Sequence, residues 1–127
     1  MNDLDFHTIP QLLQSSVKQF AQRDAICDGD VSLTFAELGT QVHQSTRAMM
    51  AAGVAPGDRV AIWAPNIWEW VVAALGVHSA GGVLVPINTR FKGLEAAYVL
   101  QKSRAKLLLT VEGFLGNDYV KMLRDAS

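Results

Sequence analysis

GDRVAIWAPNIWEWVVAALGVHSAGGVLVPIN, residues 57–88, decides the fold. It reads as strand, helix, strand. Val60, Ala61, Ile62 and Trp63 form an apolar run without polar alternation, the pattern of a strand covered on both faces, as in parallel sheets. The strand is predicted over 59–64. Asn66 with Glu69 three residues on marks a capped helix start, and the helix runs to Ser79. It is apolar on every side, so it must be buried on every side. Trp68 and Trp70 are two residues apart and point to nearly opposite sides. One packs inward, and the other needs a second surface. A chain of 127 residues is expected to leave such a helix half uncovered. The sequence therefore reads as a piece of something larger, with the helix from Asn66 to Ser79 offering a face for self-association. Gly81-Gly82 then turns the chain into a strand over 83–87.

On the amino-terminal side, Thr8 and Gln11 open a first helix whose apolar positions are Leu12, Leu13, Val17 and Phe20. Residues 25–27 and 31–33 are short strands, joined by Asp28-Gly29-Asp30 as a hairpin turn. Thr34 and Glu37 form a capping box, with Leu33 and Leu38 as its hydrophobic staple. Phe35, Leu38, Val42 and Met49 line one stripe of the second helix. Gly53 ends it, and Val54 is expected to fold back on Met49 in a Schellman turn. On the carboxyl-terminal side follow a helix from Gly93 to Ser103, a strand over 106–110 and an amphipathic helix carrying Tyr119, Val120 and Leu123. Strands alternating with helices define an α/β fold. It has a doubly wound, mostly parallel sheet, flanking helices and right-handed crossovers, plus a short N-terminal hairpin.

Composition narrows the function. Hydrophobic residues make up 50% and charged residues 18%, with a net charge of −1. Lys and Arg are scattered singly, which argues against a nucleic-acid partner. The stretch 67–87 approaches the length of a membrane span, but Gly81, Gly82, Pro86, Glu69 and His78 interrupt it, so no span is expected. The first ten residues carry Asp3 and Asp5 and no basic or apolar signal region, so a cytoplasmic location is expected. Cys27 is the only cysteine and reads as a packed thiol in a strand.

No catalytic set emerges from spacing. The chain has no GxGxxG after a strand and no GxxxxGK[ST]. Gly76, Gly81 and Gly82 come at a helix end and read as helix stop and turn. His7, His43 and His78 lack metal-ligand spacing, so no metal site is expected. His43 is read as solvated, and Asp28 and Asp30 as turn chemistry. Arg90 differs: it lies just past the carboxyl end of a predicted parallel strand, the edge where ligands of such sheets bind. Its guanidinium fork suits phosphate or carboxylate.

LTFAEL at 33–38, GVAPGDRVAIWAPN at 53–66 and AGGVLVPINTRF at 80–91 occur in one order. Together they resemble the amino-terminal part of the AMP-forming acyl-CoA synthetases, the adenylating superfamily that includes luciferases and peptide-synthetase adenylation domains. PNIWEWVVAALGVHSAGG with NTRF is most similar in look to bacterial fatty-acid, aromatic-acid and steroid-acid CoA ligases. The resemblance covers about residues 8–123. It implies an ATP-dependent acid–CoA ligase using ATP, magnesium and CoA, with residues 1–127 as the incomplete first subdomain of its large AMP-binding domain.

On that resemblance, the phosphate loop, the magnesium-holding Thr-Glu pair, the ribose-binding Asp and the adenylation lysine all lie outside this chain. The remainder of the enzyme is its expected partner and a carboxylic acid its substrate, while these residues alone are expected to be inactive. Arg90 matches a position that in some such ligases contacts the CoA nucleotide phosphates. Lys92-Gly93 departs from the family's usual Ser or Thr helix cap before Glu95. The rival expectation from the residues alone is a freestanding α/β module that binds a partner without catalysis.

Overall fold

The computed structural model describes residues 7–126, without the side chain of Leu115; Asp3 and Asp5 lie outside them. The order is α1 (Ile9–Phe20), β1 (Asp24–Asp28), β2 (Val31–Thr34), α2 (Phe35–Ala51), β3 (Arg59–Trp63), α3 (Trp68–Ser79), β4 (Val83–Pro86), α4 (Gly93–Ser103), β5 (Leu107–Thr110) and α5 (Tyr119–Ala126). A 3-10 turn, Phe114–Gly116, precedes α5. β1 and β2 pair antiparallel as a separate hairpin, and β4-β3-β5 form a parallel sheet.

β3 is the axis of the molecule. Val60 to Trp63 are all between 0% and 1% exposed, as the unbroken apolar run requires. Alternation divides them between two faces. Val60 and Ile62 pack with Met49, Val54, Ala74 and Val77 of the α2–α3 side. Ala61 and Trp63 pack with Ala96 and Tyr119 of the α4–α5 side. From β3 the chain crosses on the first side to β4; from β4 it crosses back on the second side, past β3, to β5. Opposite directions on opposite faces give both crossovers the same hand, the doubly wound arrangement expected from the sequence.

α3 is buried or half-buried along its length except at Glu69. This corrects the expectation that the helix would be half uncovered. Trp70 packs toward the sheet with Ile62 and Ala64. Trp68 finds its second surface within the chain, against Leu38, Val42, Leu13 and Ile26 of α1, α2 and the hairpin. The side of α3 that carries Trp68 is therefore covered within the chain.

α2 approaches α3 closely because Gly76 has no side chain. A Cβ there would collide with Ser45 Oγ and sit 2.8 Å from Ser45 Cβ. Gly76 is thus a packing residue inside α3, not part of its stop. The stop belongs to Gly81, at φ 82°. Gly81 N–H donates to His78 C=O at 3.0 Å and Gly82 N–H to Val77 C=O at 2.9 Å, a Schellman turn. α2 ends in the same way, with Gly53 N–H to Met50 C=O and Val54 N–H to Met49 C=O, both 3.0 Å, as the sequence predicts.

These two turns are tied together at the amino edge of the sheet by Gly57 N–H donating to Gly81 C=O at 2.9 Å. Lys106 Nζ donates to Gly53 C=O and pairs with Asp58 at 3.2 Å. Arg59 Nε donates to Ser103 C=O at 2.6 Å, closing the end of α4.

The helix starts depart from the sequence reading in one place. Thr34 and Glu37 form the full capping box of α2, at 3.1 and 3.0 Å, and Thr8 Oγ1 accepts from Gln11 N–H at 3.3 Å. Asn66, however, does not cap α3. The cap position is Ile67, and the first helical N–H, that of Trp68, donates to Asp28 Oδ2 at 2.9 Å. The hairpin thus reaches across to cap a helix forty residues on. Asp28 does more than shape its turn, and its negative charge suits the helix N-terminus.

Cys27 lies in β1 as expected but is exposed, not packed, with Sγ 3.7 Å from Ser32 Oγ. Strand alternation turns Ile26 inward and Cys27 outward. Among the described residues no helix is long and apolar enough to cross a membrane.

Candidate functional site

The loops after β3, β4 and β5 gather at the carboxyl edge of the sheet. The loop after β3 leads to α3 on one face, and those after β4 and β5 lead to α4 and α5 on the other. The strands therefore part company here, and an open α/β sheet leaves a crevice at such a point. A cavity of about 410 Å³ lies there. Ala64, Pro65 and Asn66 line it from the β3 side, Asn88 and Thr89 from the β4 side, and Phe114 from beyond β5.

The β4 wall of this cavity is a tight turn. Asn88 Oδ1 accepts from Arg90 N–H at 2.8 Å, and Asn88 C=O accepts from Phe91 N–H at 3.0 Å. Asx geometry of this kind is why Asn suits the first position of a turn. Two buried side chains hold the same loop from beneath. Trp63 Nε1 donates to Asn88 C=O at 3.0 Å, and Tyr119 OH donates to Thr89 C=O at 3.1 Å. Their rings stack, with centroids 4.1 Å apart and planes 28° apart. Both residues are fully buried. Burial pushes the Tyr119 phenol above its ordinary pKa, so at neutral pH it stays protonated and keeps donating.

Arg90 is exposed on this loop. Its backbone is fixed by the turn, and its guanidinium makes no hydrogen bond or ion pair among the described residues. The edge therefore presents an uncommitted cation on a well-held backbone. Immediately after it, Lys92 N–H donates to Glu95 Oε1 at 2.9 Å, and α4 starts at Gly93 without a Ser or Thr cap. Gly93 stands there for a packing reason: a Cβ would run into the Met122 carbonyl of α5.

The other candidates do not assemble a site. His43 is exposed as expected, His7 is exposed, and His78 is half-buried in the last turn of α3. Among the described residues no three His, Cys, Asp or Glu side chains come together to hold a metal ion. A further cavity, about 640 Å³, is a groove between α1 and α2 lined by Leu13, Val17, Val42, Lys18 and His43, away from the sheet edge.

Sequence reasoning missed Trp63 and Tyr119, which read only as apolar positions of a strand and a helix. The available signal was chemical: a Trp or Tyr at a core position brings a donor that needs a buried acceptor.

Fold and edge define a doubly wound α/β domain with a crevice at the carboxyl edge of its sheet. Its lineage is specific: the AMP-binding enzyme family matches residues 13–126, and the chain belongs to that family. A methyl-dioxo-octahydro-indenyl propanoyl:CoA ligase of Rhodococcus jostii is 44% identical over 120 residues, which are 94% of this chain and 23% of that protein. The human mitochondrial medium-chain acyl-CoA ligase ACSF2 is 32% identical over 123 residues, 95% of this chain and 20% of the relative. Among solved structures, the N-terminal domain of FACL13 from Mycobacterium tuberculosis superposes with a TM-score of 0.80 at 29% identity, covering 83% of this chain and 27% of that one. The chain thus spans about a fifth to a quarter of the length of the curated relatives it matches.

Proposed function

We propose that these residues form the first subdomain of the AMP-binding domain of a longer acid–CoA ligase. In the reaction proposed, a carboxylate oxygen attacks the α-phosphate of ATP, giving acyl-adenylate and releasing pyrophosphate. The CoA thiol sulfur then attacks the acyl carbon, forming the thioester and releasing AMP. The observation that carries this reading is the family match over residues 13–126, supported by relatives named as CoA ligases. The sequence has no glycine-rich phosphate loop, so no step of adenylation is assigned to these residues. On this reading magnesium accompanies the ATP on residues outside this chain.

The role proposed for this chain is scaffold, with one contact: Arg90 pairs with a phosphate of CoA. Its exposure at the sheet edge and its lack of a partner among the described residues support that role. Guanidinium suits phosphate through paired N–H donors. Two assays test the reading. Residues 1–127 alone should show no acid-dependent pyrophosphate exchange; detectable exchange overturns the scaffold assignment. In the longer enzyme, Arg90→Ala should raise KM for CoA about 10-fold, the loss of one charge-assisted contact, and leave pyrophosphate exchange unchanged. An unchanged KM for CoA removes Arg90 from the site.

The cover that α1, α2 and the hairpin give α3 also suits a freestanding module, so foldedness does not separate the two readings. Family membership favours the ligase.

A further inference from the structure

We infer that the buried Trp63–Tyr119 pair positions the loop that carries Arg90, acting as a clamp from below the carboxyl edge; its purpose rests on the Arg90 reading above. Trp63 is the last residue of β3 and Tyr119 the first of α5, so the pair joins the central strand to the last helix. A core needs only their volume, which apolar residues would supply. What they add is one donor each. Both donors go to consecutive carbonyls of a single loop, Asn88 at 3.0 Å and Thr89 at 3.1 Å, and not to the sheet or to a helix end. The stack at 4.1 Å fixes each ring by the other, so neither donor can swing away alone. Above them the Asn88 turn takes up Arg90 N–H and Phe91 N–H. The backbone from 88 to 91 is thus bonded from two sides, while the Arg90 side chain reaches into solvent. A long flexible cation loses less freedom on binding an anion when its backbone is already fixed.

Tyr119→Phe tests the clamp, because it keeps the ring and the stack and removes only the hydroxyl. In this chain, hydrogen exchange of the Arg90 and Phe91 amides should quicken about 5- to 10-fold, the equilibrium worth of one hydrogen bond. The Val60 and Ile62 amides of β3 should change less. Equal quickening at all four, or none at the loop, overturns the inference, since the hydroxyl would then serve general stability or nothing.

In the longer enzyme, Tyr119→Phe should raise KM for CoA severalfold without changing pyrophosphate exchange, and should add nothing on top of Arg90→Ala. If Arg90→Ala raises KM and Tyr119→Phe does not, the clamp is overturned and the Arg90 reading survives. If Arg90→Ala has no effect, the Arg90 reading fails, and the exchange experiment still decides the clamp.

Discussion

Asp28 shows how much one carboxylate can do beyond its own turn. Its oxygen takes the Trp68 N–H, so it satisfies an orphan helix donor and places negative charge at the positive end of α3. Asp28→Ala should cost about 1 kcal/mol in urea unfolding, the usual worth of a helix cap. Asp28→Asn, which keeps the acceptor, should cost less. Two other carboxylates set the response to acid. The Thr34 backbone and hydroxyl hold Glu37 below the ordinary carboxylate range. The Ala55 N–H, followed by Lys106, does the same for Asp58. Each lowered value means stability that is present above the unfolded pKa and is lost as pH falls through the folded one. The urea midpoint should therefore hold from pH 7 to about pH 5 and fall below about pH 4. Asp58→Asn should flatten that fall; an unchanged acid limb would remove Asp58 from the account.

At the scale of elements, two glycines govern how helices meet, and they should respond differently to a methyl group. At Gly93 the new Cβ runs into a backbone carbonyl of α5, which cannot rotate aside. Gly93→Ala should destabilise by about 1–3 kcal/mol, as overpacking does. At Gly76 the Ser45 hydroxyl can turn away, but Ser45 Cβ at 2.8 Å is fixed to the α2 backbone, so the two helices must also part slightly. There Ala also regains up to about 1 kcal/mol of helix propensity, so Gly76→Ala should cost less. Chemical denaturation of the two variants side by side checks the order.

These elements show what the sequence made legible. The boundaries of α2, its capping box and its Schellman turn were readable because all their partners lie within a few residues. The apolar run of β3 announced two covered faces. The cap on α3 was misread because its donor's partner lies forty residues away, beyond any local pattern. Gly76 was misread because close helix approach leaves no mark in the helix's own sequence. The place of Arg90 past the carboxyl end of β4 was readable from the strand before it, whereas the aromatic pair beneath its loop was hidden within ordinary core positions.

For the whole molecule, strand order makes the two sheet edges unequal. Val83 and Ile87 N–H groups point to β3, so alternation turns those of Leu84 and Pro86 outward. Pro86 has none to offer, which blunts that edge. On β5, Lys106 N–H points to β3, and the N–H groups of Leu107 and Leu109 face away. In residues 1–127 the amides of Leu107 and Leu109 should exchange with solvent at least about 100-fold faster than that of Leu108, which the ladder protects. Equal protection at all three would mean that the β5 edge is covered.

The knot of hydrogen bonds at the opposite, amino edge gives the molecule a mechanical polarity. There the ends of α2 and α3, the start of β3 and the end of α4 are stitched to one another by Gly57 with Gly81, Lys106 with Gly53, and Arg59 with Ser103. The strands are tines set in a stitched base, and at their tips the Trp63–Tyr119 pair and the Thr110 hydroxyl on Trp63 C=O are the ties. Any compliance in the loops around the cavity therefore meets the grip on Asn88 and Thr89, which decides how much of it reaches Arg90.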